Sequence, residues 1–535
     1  MFTTDANRQI ARAAGTVMVA ILFGQLAGLL RGILVARAFG ASPELDAFFA
    51  ANRVSETLFL LVAGGALGSA FIPTFTGLLA KDEKDSAWRL ASTLANAVTL
   101  SLSLLSVLLA VFAPQVVRYA LAPGLSTNPE LFSLTINLLR IQLISTVLFG
   151  LGGLLVGILN AHRVFLIPAL TPAMYQLGII FGTVVLVPYM GIYGLAWGVV
   201  LGAVMYLVVQ LPSLLKLISN LPAKRPIINY KLLSFEDVHV RQVLILMVPR
   251  LLGVAVVQLN FWVNTNLGST MEEGSVTGLY YGFSLMLMAQ AAIAQSVAIA
   301  AMPTFSAQHA LGKIEELRAS LVVSLRGVLM MAIPASIGLI LLREPLISFL
   351  YQRGEFDGHD VQLVAWALLW YAAGLVGHSA MEVLTRAYYA QQDTKTPVLI
   401  GTVAMGLNVI FSFWFSSLFT QLGWFPLGGL ALANSLATAL EATALFGVMR
   451  KRLHGMEESY IARGLFAYAL AALGMAVGLW LWIQASASQM SWLVALGGVA
   501  LGGIIYGTVL ILMKVPEVQD MIQFVTKRLK GFYGT

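Results

Sequence analysis

The sequence contains no cysteine, which excludes disulfide bonds and thiolate chemistry. Charged residues are also scarce, because Asp, Glu, Lys and Arg make up only 11% of the 535 residues, against about 25% in soluble domains. A soluble protein of this length cannot cover its surface with so few charges. Apolar residues make up 59% of the chain, above the roughly 45–50% of soluble proteins. The composition therefore predicts a polytopic membrane protein.

Two further absences concern chemistry. The six histidines never occur at HExxH or similar spacing, so no zinc or other metal site is expected. No Walker motif and no Gly-x-Ser-x-Gly elbow is present, so neither ATP hydrolysis nor acyl transfer is indicated. We therefore expect a transporter rather than an enzyme, with no cofactor.

Apolar runs long enough to cross a membrane are abundant. A transmembrane helix needs about 20 apolar residues, and fourteen runs reach that size. They lie near residues 15–38, 47–77, 90–114, 132–159, 165–188, 191–215, 243–267, 275–302, 319–342, 362–390, 396–420, 426–449, 462–485 and 491–513. The pattern predicts an all-α membrane protein with about fourteen transmembrane helices.

Basic residues are distributed unevenly between the two sides of the membrane. With the N-terminus inside, three of the 32 Lys and Arg residues (Arg118, Arg343 and Arg353) lie in outer loops, six lie within spans, and the other 23 lie in inner segments or at the inner ends of spans. An excess of Lys and Arg marks cytoplasmic loops, so both termini are expected in the cytoplasm. The net charge of +7 is explained by these loops, and no nucleic-acid partner is expected.

The chain repeats itself at an offset of about 230 residues. Residues 70–75 read Ala-Phe-Ile-Pro-Thr-Phe and residues 300–305 read Ala-Ala-Met-Pro-Thr-Phe, and Pro168 after span 4 corresponds to Pro397 after span 10. Each pair holds an equivalent place in its span. We therefore expect two parallel six-helix repeats, an architecture of transporters that bind substrate between the two halves.

The repeat predicts the domain organisation. Residues 1–218 form an N-lobe of spans 1–6, and residues 219–455 form a C-lobe of spans 7–12. Residues 456–535 add spans 13 and 14 and a cytoplasmic tail.

Charged side chains within spans are the first candidates for a binding site. Arg31 lies deep in span 1, where an arginine costs at least about 2.5–3.5 kcal/mol on insertion scales, so it must face a wet cavity or a partner. Asp46, Arg53 and Glu56 are spaced to share one face of span 2. We expect these residues to contact the substrate. A structural salt bridge is the alternative for Arg31, and snorkelling to the membrane surface is the alternative for Arg53.

Carboxamide side chains form a second group of candidates. Asn260 and Asn264 share a face of span 7, and Asn408 and Asn434 lie in spans 11 and 12 together with Glu441. These groups are candidates to hold a coupling ion, Na+ or a proton. The alternative is interhelical hydrogen bonding, which is common in membrane bundles.

Several motifs are typical of one transporter family. They are Gly24-x-x-x-Gly28-Leu-Leu-Arg31, Val35-Ala36-Arg37-x-Phe39-Gly40, Asp46-Ala47-Phe48-Phe49, Gln352-Arg353-Gly354-Glu355-Phe356 and Tyr388-Tyr389-Ala390-Gln391-Gln392-Asp393-Thr394-Lys395-Thr396-Pro397. Through them the chain resembles, over spans 1–12, the MurJ (MviN) family of the multidrug/oligosaccharidyl-lipid/polysaccharide exporter superfamily. The resemblance implies two six-helix lobes around a central cavity, with the last two helices forming a groove for a lipid tail.

The resemblance also implies a function. Members of this family flip lipid II, the undecaprenyl-pyrophosphate-linked peptidoglycan precursor, from the inner to the outer leaflet of the bacterial cytoplasmic membrane. Arg31 matches a family arginine, Asp46 a family acidic residue, and Arg53 a basic position. Arginine suits this cargo because its planar fork makes bidentate contacts with phosphate.

The sequence departs from the family pattern at several charged positions. Gln25 stands where the family usually has an arginine, and we keep it among the expected substrate contacts. Phe59 replaces an arginine of span 2, and Gly282 and Phe283 replace an Asp-Arg pair of span 8. Leu287 replaces a glutamate. The missing charges leave two alternatives open besides lipid II transport: a flippase for another polyprenyl-linked glycan, or a non-transporting membrane scaffold of the envelope machinery. Membrane lipids and cell-wall synthesis proteins are further expected partners.

Overall fold

The computed structural model describes residues 4–61, 71–219 and 238–519, and within these ranges it contains helices and connecting turns but no β-strand. The predicted loop at 220–237 and the tail at 520–535 lie outside the described residues. Contacts divide the chain into two compact units. The first comprises Met1–Val276 with Arg353–Phe356, and the second comprises Thr277–Gln352 with Asp357–Thr535.

The first unit contains eleven described α-helices. They are α1 (Thr4–Phe39), α2 (Pro43–Phe59), α3 (Ile72–Ala80), α4 (Lys84–Val111), α5 (Ala113–Gln115), α6 (Pro129–Ala161), α7 (Leu166–Phe181), α8 (Val187–Met190), α9 (Ile192–Val208), α10 (Leu211–Ser219) and α11 (Val238–Ser269). Helix α11, predicted as the first span of the second repeat, therefore belongs to the first compact unit.

The second unit contains the other ten described α-helices. They are α12 (Ser275–Gln290), which begins two residues before the unit boundary, α13 (Ser296–Ala310), α14 (Ile314–Leu341), α15 (Arg343–Tyr351), α16 (Gly358–Ala373), α17 (Leu375–Ala390), α18 (Lys395–Gln421), α19 (Leu427–Arg452), α20 (Glu458–Ala485) and α21 (Ser491–Leu512).

The membrane architecture predicted from the sequence is confirmed. Within the described residues, eleven segments are long and apolar enough to cross a membrane, and α16 with α17 forms a twelfth span bent by 46°. The two remaining predicted runs are 47–77, of which residues 62–70 lie outside the described residues, and 243–267, which α11 covers. The count of fourteen spans is consistent with this structure.

The repeat in the sequence has a counterpart in the backbone. Ala291–Gln295 form a π-helical turn between α12 and α13. Leu60 and Leu61, at the end of α2, are also π-helical, and Ala291 follows Leu61 at the offset of the sequence repeat. A π-helical turn inserts one residue into a helix and is frequent at functional sites. Spans 2 and 8 therefore carry the same irregularity at equivalent positions.

A buried arginine holds the terminal helices in the second unit. The side chain of Arg326 on α14 is 3% exposed and pairs with Glu517, with its Nη2 3.0 Å from Oε2. Its guanidinium lies 3.6 Å from the ring centroid of Tyr460 on α20 and donates to the carbonyl of Tyr460. A buried arginine needs such partners because an unpaired charge is strongly destabilising.

Candidate functional site

Arg53 lies where α2 packs against α11. Its side chain is 17% exposed, and its Nη1 is 2.9 Å from Oε2 of Glu56, which is 40% exposed. The guanidinium carbon lies 4.8 Å from the ring centroid of Phe261 on α11. Arg53 Nε is buried without a hydrogen-bond partner among the described residues. Arg53 is therefore a cation that is paired with an acid on its own helix and still has one unused N–H donor.

Hydrogen bonds continue this contact one turn further along α2. The hydroxyl of Thr57 donates to the carbonyl of Arg53 at 2.7 Å and approaches Oε1 of Gln258 at 3.3 Å. The indole N–H of Trp262 donates to the same hydroxyl at 2.9 Å. Thr57 therefore connects the backbone of Arg53 to polar side chains of α11.

Asp46 holds a loop in place. Its side chain is buried, and its Oδ2 accepts a hydrogen bond of 2.8 Å from the backbone N–H of Gly274. Gly274 has φ +82 and its backbone packs against Ala41, so a side chain there would be strained and would clash. Asp46 therefore fastens the segment after α11 to the beginning of α2. A contact between Asp46 and substrate stays a prediction.

Arg31 is half-buried on α1, three residues after Gly28 and seven after Gly24, whose Cβ positions would lie within 4 Å of α7. A Cβ at Gly28, one turn before Arg31, would lie 3.6 Å from Nε2 of Gln176 on α7, which is an ordinary contact distance. The Oε1 atom of Gln176 is buried without a hydrogen-bond partner in the described chain. Gln176 is a polar residue of span 5 that the sequence analysis missed. Gln25 is exposed on α1 and, six residues before Arg31, points from a different face of the helix.

Aromatic packing occupies the position of the missing charge in span 2. The ring of Phe59 lies 5.0 Å from that of Phe149 and 6.4 Å from that of Tyr206. Phe149 also contacts Tyr175 at 5.0 Å. These four rings form one cluster, so an arginine at position 59 would have to enter an apolar, aromatic environment. Phe59, at a position where the resemblance implies a charge, is therefore part of aromatic packing.

Aromatic packing is also present in span 8, where the resemblance implies an Asp-Arg pair. Phe283 packs against Tyr371 with ring centroids 5.1 Å apart and lies 6.4 Å from the ring of His378. At Gly282 a Cβ would lie 3.0 Å from the backbone nitrogen of Leu368, so α12 and α16 approach closely. An Asp-Arg pair would not fit this contact without moving the helices apart.

The four candidate asparagines lie in different units. Asn260 and Asn264 are buried in the first unit, and Asn408 and Asn434 are buried in the second. Asn434 Oδ1 is 3.1 Å from Nε2 of His378, and Asn408 Oδ1 accepts from the hydroxyl of Ser412 at 3.1 Å. These contacts are hydrogen bonds between and within helices, and an ion-binding role for the asparagines stays a prediction.

Two backbone contacts within the first unit link the sequence repeats reciprocally. Gly124, after span 3, donates its N–H to Ser269 Oγ at 3.2 Å, and a Cβ there would lie 1.7 Å from the carbonyl oxygen of Ser269. Gly354, after span 9, would place a Cβ 2.3 Å from the carbonyl oxygen of Arg37, and Glu355 N donates to that oxygen at 3.1 Å. We call these two contacts the reciprocal clasp.

The reciprocal clasp follows the internal repeat. Gly354 follows Gly124 by 230 residues, and Ser269 follows Arg37 by 232 residues. Each loop of one repeat therefore docks on the end of the first span of the other repeat. Gly354 belongs to the motif Gln352-Arg353-Gly354-Glu355-Phe356. Its contact with Arg37 could not be predicted from that motif, because the two residues are more than three hundred positions apart.

Comparison with known proteins gives the family. The family model for "Lipid II flippase MurJ" matches residues 35–497. The chain belongs to the MurJ family. A curated MurJ lipid II flippase of Burkholderia cenocepacia is 32% identical over 444 residues, which are 82% of this chain and 84% of that protein. A probable MurJ lipid II flippase of Vibrio cholerae is 29% identical over 526 residues, which are 94% of this chain and 95% of that protein.

Solved structures agree with this assignment. The MurJ lipid II flippase in an inward closed conformation matches with a TM-score of 0.78 at 25% identity, covering 95% of this chain and 99% of that one. An inward-facing multidrug resistance MATE transporter matches in fold, with a TM-score of 0.68 at 16% identity, over 83% of this chain and 99% of that one. Members of the MurJ family are flippases, which are transporters and not enzymes.

Proposed function

We propose that this chain moves lipid II from the inner to the outer leaflet of the bacterial cytoplasmic membrane by alternating access. The observation that carries the proposal is the match to the MurJ family over residues 35–497. The cytoplasmic placement of both termini follows from the distribution of Lys and Arg between loops.

The pyrophosphate of lipid II requires cations along its path. Arg31 and Arg53 are the two arginines expected to meet it, and Gln25 is an exposed polar neighbour on the helix of Arg31. Glu56 already pairs with Arg53, so an anion that reaches Arg53 competes with this carboxylate. In this proposal Arg31 carries most of the attraction for phosphate, because it lies deep in span 1 and matches a family arginine, whereas Phe59 and Phe283 stand at positions that are usually charged in the family.

The energy source is an ion gradient or the membrane potential, because the sequence lacks a nucleotide-binding motif. The coupling ion is Na+ or a proton. Asn260 and Asn264 in the first unit and Asn408 and Asn434 in the second remain the candidate carboxamides for it. All four are buried in apolar spans, where a polar group is retained only if it has a structural or functional partner.

A flippase for another polyprenyl-linked glycan is the second candidate. The observation that favours it is the aromatic packing of Phe59 and Phe283 at positions that are usually charged in the family. The curated relatives of Burkholderia cenocepacia and Vibrio cholerae carry the lipid II name, and lipid II therefore remains the preferred cargo.

Complementation tests the proposal. A strain depleted of its own lipid II flippase should resume growth when this chain is expressed at a verified membrane level. Failure of a well-expressed protein, together with growth supported by a known MurJ member in the same vector, would contradict lipid II transport and favour another cargo or a scaffold role. Co-purification with cell-wall synthesis proteins would extend the list of partners.

A further inference from the structure

Glu441 is a carboxyl group buried in the middle of a span. It lies near the centre of α19 and is 8% exposed. Its Oε2 is enclosed and has no hydrogen-bond partner among the described residues. An intramembrane ionisable residue is expensive and is a functional candidate by default. A structural ion pair would explain this burial only if a neighbouring helix supplied a cation.

Helix α18 packs directly against this carboxyl. A Cβ at Gly401 would lie 3.0 Å from Oε1 of Glu441, so the absence of a side chain at 401 makes room for the acid. From Lys395 to Gln421, α18 carries no other Asp, Glu, Lys, Arg or His. Lys395 is at the beginning of the helix, more than one turn away from Gly401. Helix α18 therefore offers no counter-charge.

The charged groups of the other two helices against α19 are already engaged. On α17, Glu382 pairs with Arg386 at 3.0 Å, and His378 contacts Asn434 at 3.1 Å. The hydroxyl of Tyr388 donates to the carbonyl of Leu445. Helix α16 carries His359 and Asp360 in its first turn, where Asp360 completes a capping box with Asp357, and it carries Tyr371 near its other end. None of these groups is an ion-pair partner of Glu441.

Glu441 is also distinct from the buried carboxamides. Helices α18 and α19 run antiparallel, and Gly401 is opposite Glu441. Asn408 lies seven residues after Gly401, and Asn434 lies seven residues before Glu441. Seven residues are two helical turns, about 10 Å. The two asparagines therefore share one level of the helix pair, and Glu441 lies at another.

We propose that Glu441 is a reversible proton-binding site of the second compact unit. Among the described residues, an ionised carboxylate at this position would have neither a cation nor a hydrogen-bond donor, which is strongly unfavourable. The neutral acid removes this penalty, and the proton leaves when a conformational change admits water or a cation to the carboxyl. The role in transport rests on the proposed function, in which an ion gradient drives the flippase.

Labelling with dicyclohexylcarbodiimide tests the proposal without transport. The reagent adds the O–H of a protonated carboxyl across one C=N bond: the carboxyl oxygen bonds to carbon and the proton moves to nitrogen. The full-length protein in membranes is treated between about pH 5 and pH 9, a range that spans ordinary and raised carboxyl pKa values. Peptide mass spectrometry then locates the adduct.

The expected result is an adduct at Glu441 that decreases as the pH rises, with Glu382, paired with Arg386, unlabelled as an internal control. The adduct is lost in Glu441→Gln and retained in Glu441→Asp. Absence of an adduct at Glu441 throughout the pH range would overturn the proposal. Protection by Na+ at constant pH would overturn it as well, because the site would then bind a metal cation. If Glu441 is labelled as expected but the protein fails complementation, lipid II transport is refuted and the proposal of a proton-binding site still holds.

Discussion

The backbone of Gly354 lies so close to Arg37 that a Cβ at position 354 would be 2.3 Å from the carbonyl oxygen of Arg37. Gly354 also has φ +64, in the left-handed region. The segment Arg353–Phe356 belongs to the first compact unit although the residues on both sides of it belong to the second. This contact, one half of the reciprocal clasp, therefore joins the segment to the end of α1, more than three hundred residues earlier in the chain.

Gly354→Ala is predicted to destabilise the protein by two effects. An alanine in the left-handed region costs roughly 1–2 kcal/mol, and the clash with the Arg37 carbonyl adds about 1–3 kcal/mol, typical of overpacking. The midpoint of thermal unfolding in detergent measures the sum. Gly423→Ala is the matched control, because Gly423 has φ +71 but nothing within 4 Å of its Cβ position. Equal shifts for the two variants would show that the clasp contact contributes nothing.

Arg31 is predicted to be the most sensitive single residue for lipid II transport. A charge-assisted hydrogen bond contributes about 1.5–3 kcal/mol, so Arg31→Ala should weaken headgroup binding roughly ten- to a hundred-fold. Arg31→Lys keeps the charge but loses the planar fork, and its defect should be smaller. Arg53→Ala should rank below Arg31→Ala.

Arg118→Ala is the matched control for Arg31. Arg118 is exposed, and its guanidinium lies 4.9 Å from the ring centroid of Phe132. Its removal should leave transport within about two-fold, since an exposed cation–π contact contributes only about 0.5–1 kcal/mol. All variants are compared at matched membrane levels. Normal transport by Arg31→Ala would mean that the pyrophosphate is bound elsewhere.

Two substitutions at Asp46 distinguish its hydrogen bond to Gly274 from its negative charge. Its Oδ2 accepts the N–H of Gly274 at 2.8 Å, and the amide oxygen of an asparagine can accept the same hydrogen bond. Asp46→Ala should therefore lower the unfolding midpoint more than Asp46→Asn, with a loss of about 1–3 kcal/mol for the unsatisfied buried donor. If both variants are equally stable yet equally inactive in transport, the negative charge itself is needed.

Asp393 gives a pH-dependent prediction at the end of span 10. Burial acts to raise its pKa, but hydrogen bonds from the N–H and hydroxyl of Thr396 and the guanidinium of Arg452 outweigh it and lower the pKa to about 2. A carboxyl with a lowered pKa stabilises the folded state above its ordinary pKa of about 3.9 and loses this contribution as the pH falls toward 2.

Asp393→Asn should therefore destabilise the protein by about 1 kcal/mol at neutral pH, a value reduced for screening by water at this exposed end of the helix. The difference between the two proteins should be the same at about pH 7 and pH 5 and smaller at about pH 3. Asp82→Asn is the control, because Asp82 is 82% exposed in its pair with Lys84. A difference that already shrinks above pH 5 contradicts this account of Asp393.

Much of the fold follows from the sequence because the membrane imposes a length on each apolar run. The run at 362–390, for example, becomes α16 and α17, although its 46° bend was not predicted. The assignment of α11 to the first compact unit was not predictable either. A repeat in the sequence shows which segments of the chain are duplicated. Which helices form one compact unit depends instead on contacts between side chains, such as that of Arg53 with Phe261.

The candidate site was only partly predictable for the same reason. Helical spacing predicted that Asp46, Arg53 and Glu56 share a side of α2, and the structure pairs Arg53 with Glu56, a contact that needs only local geometry. The partner of Asp46, by contrast, is a backbone N–H more than two hundred residues away. The missing charges at Phe59 and Phe283 were visible in the sequence, but the rings that fill their places come from other spans.

The central claim is that this chain flips lipid II, and the most direct measurement is the leaflet of lipid II in proteoliposomes that contain only this protein. Lipid II is placed in one leaflet, an ion gradient or membrane potential is applied without ATP, and its appearance in the other leaflet is followed. The account predicts rapid movement of lipid II that is reduced roughly ten- to a hundred-fold by Arg31→Ala. The account would be contradicted if lipid II moved no faster than in protein-free vesicles while the same folded protein moved another polyprenyl-linked glycan.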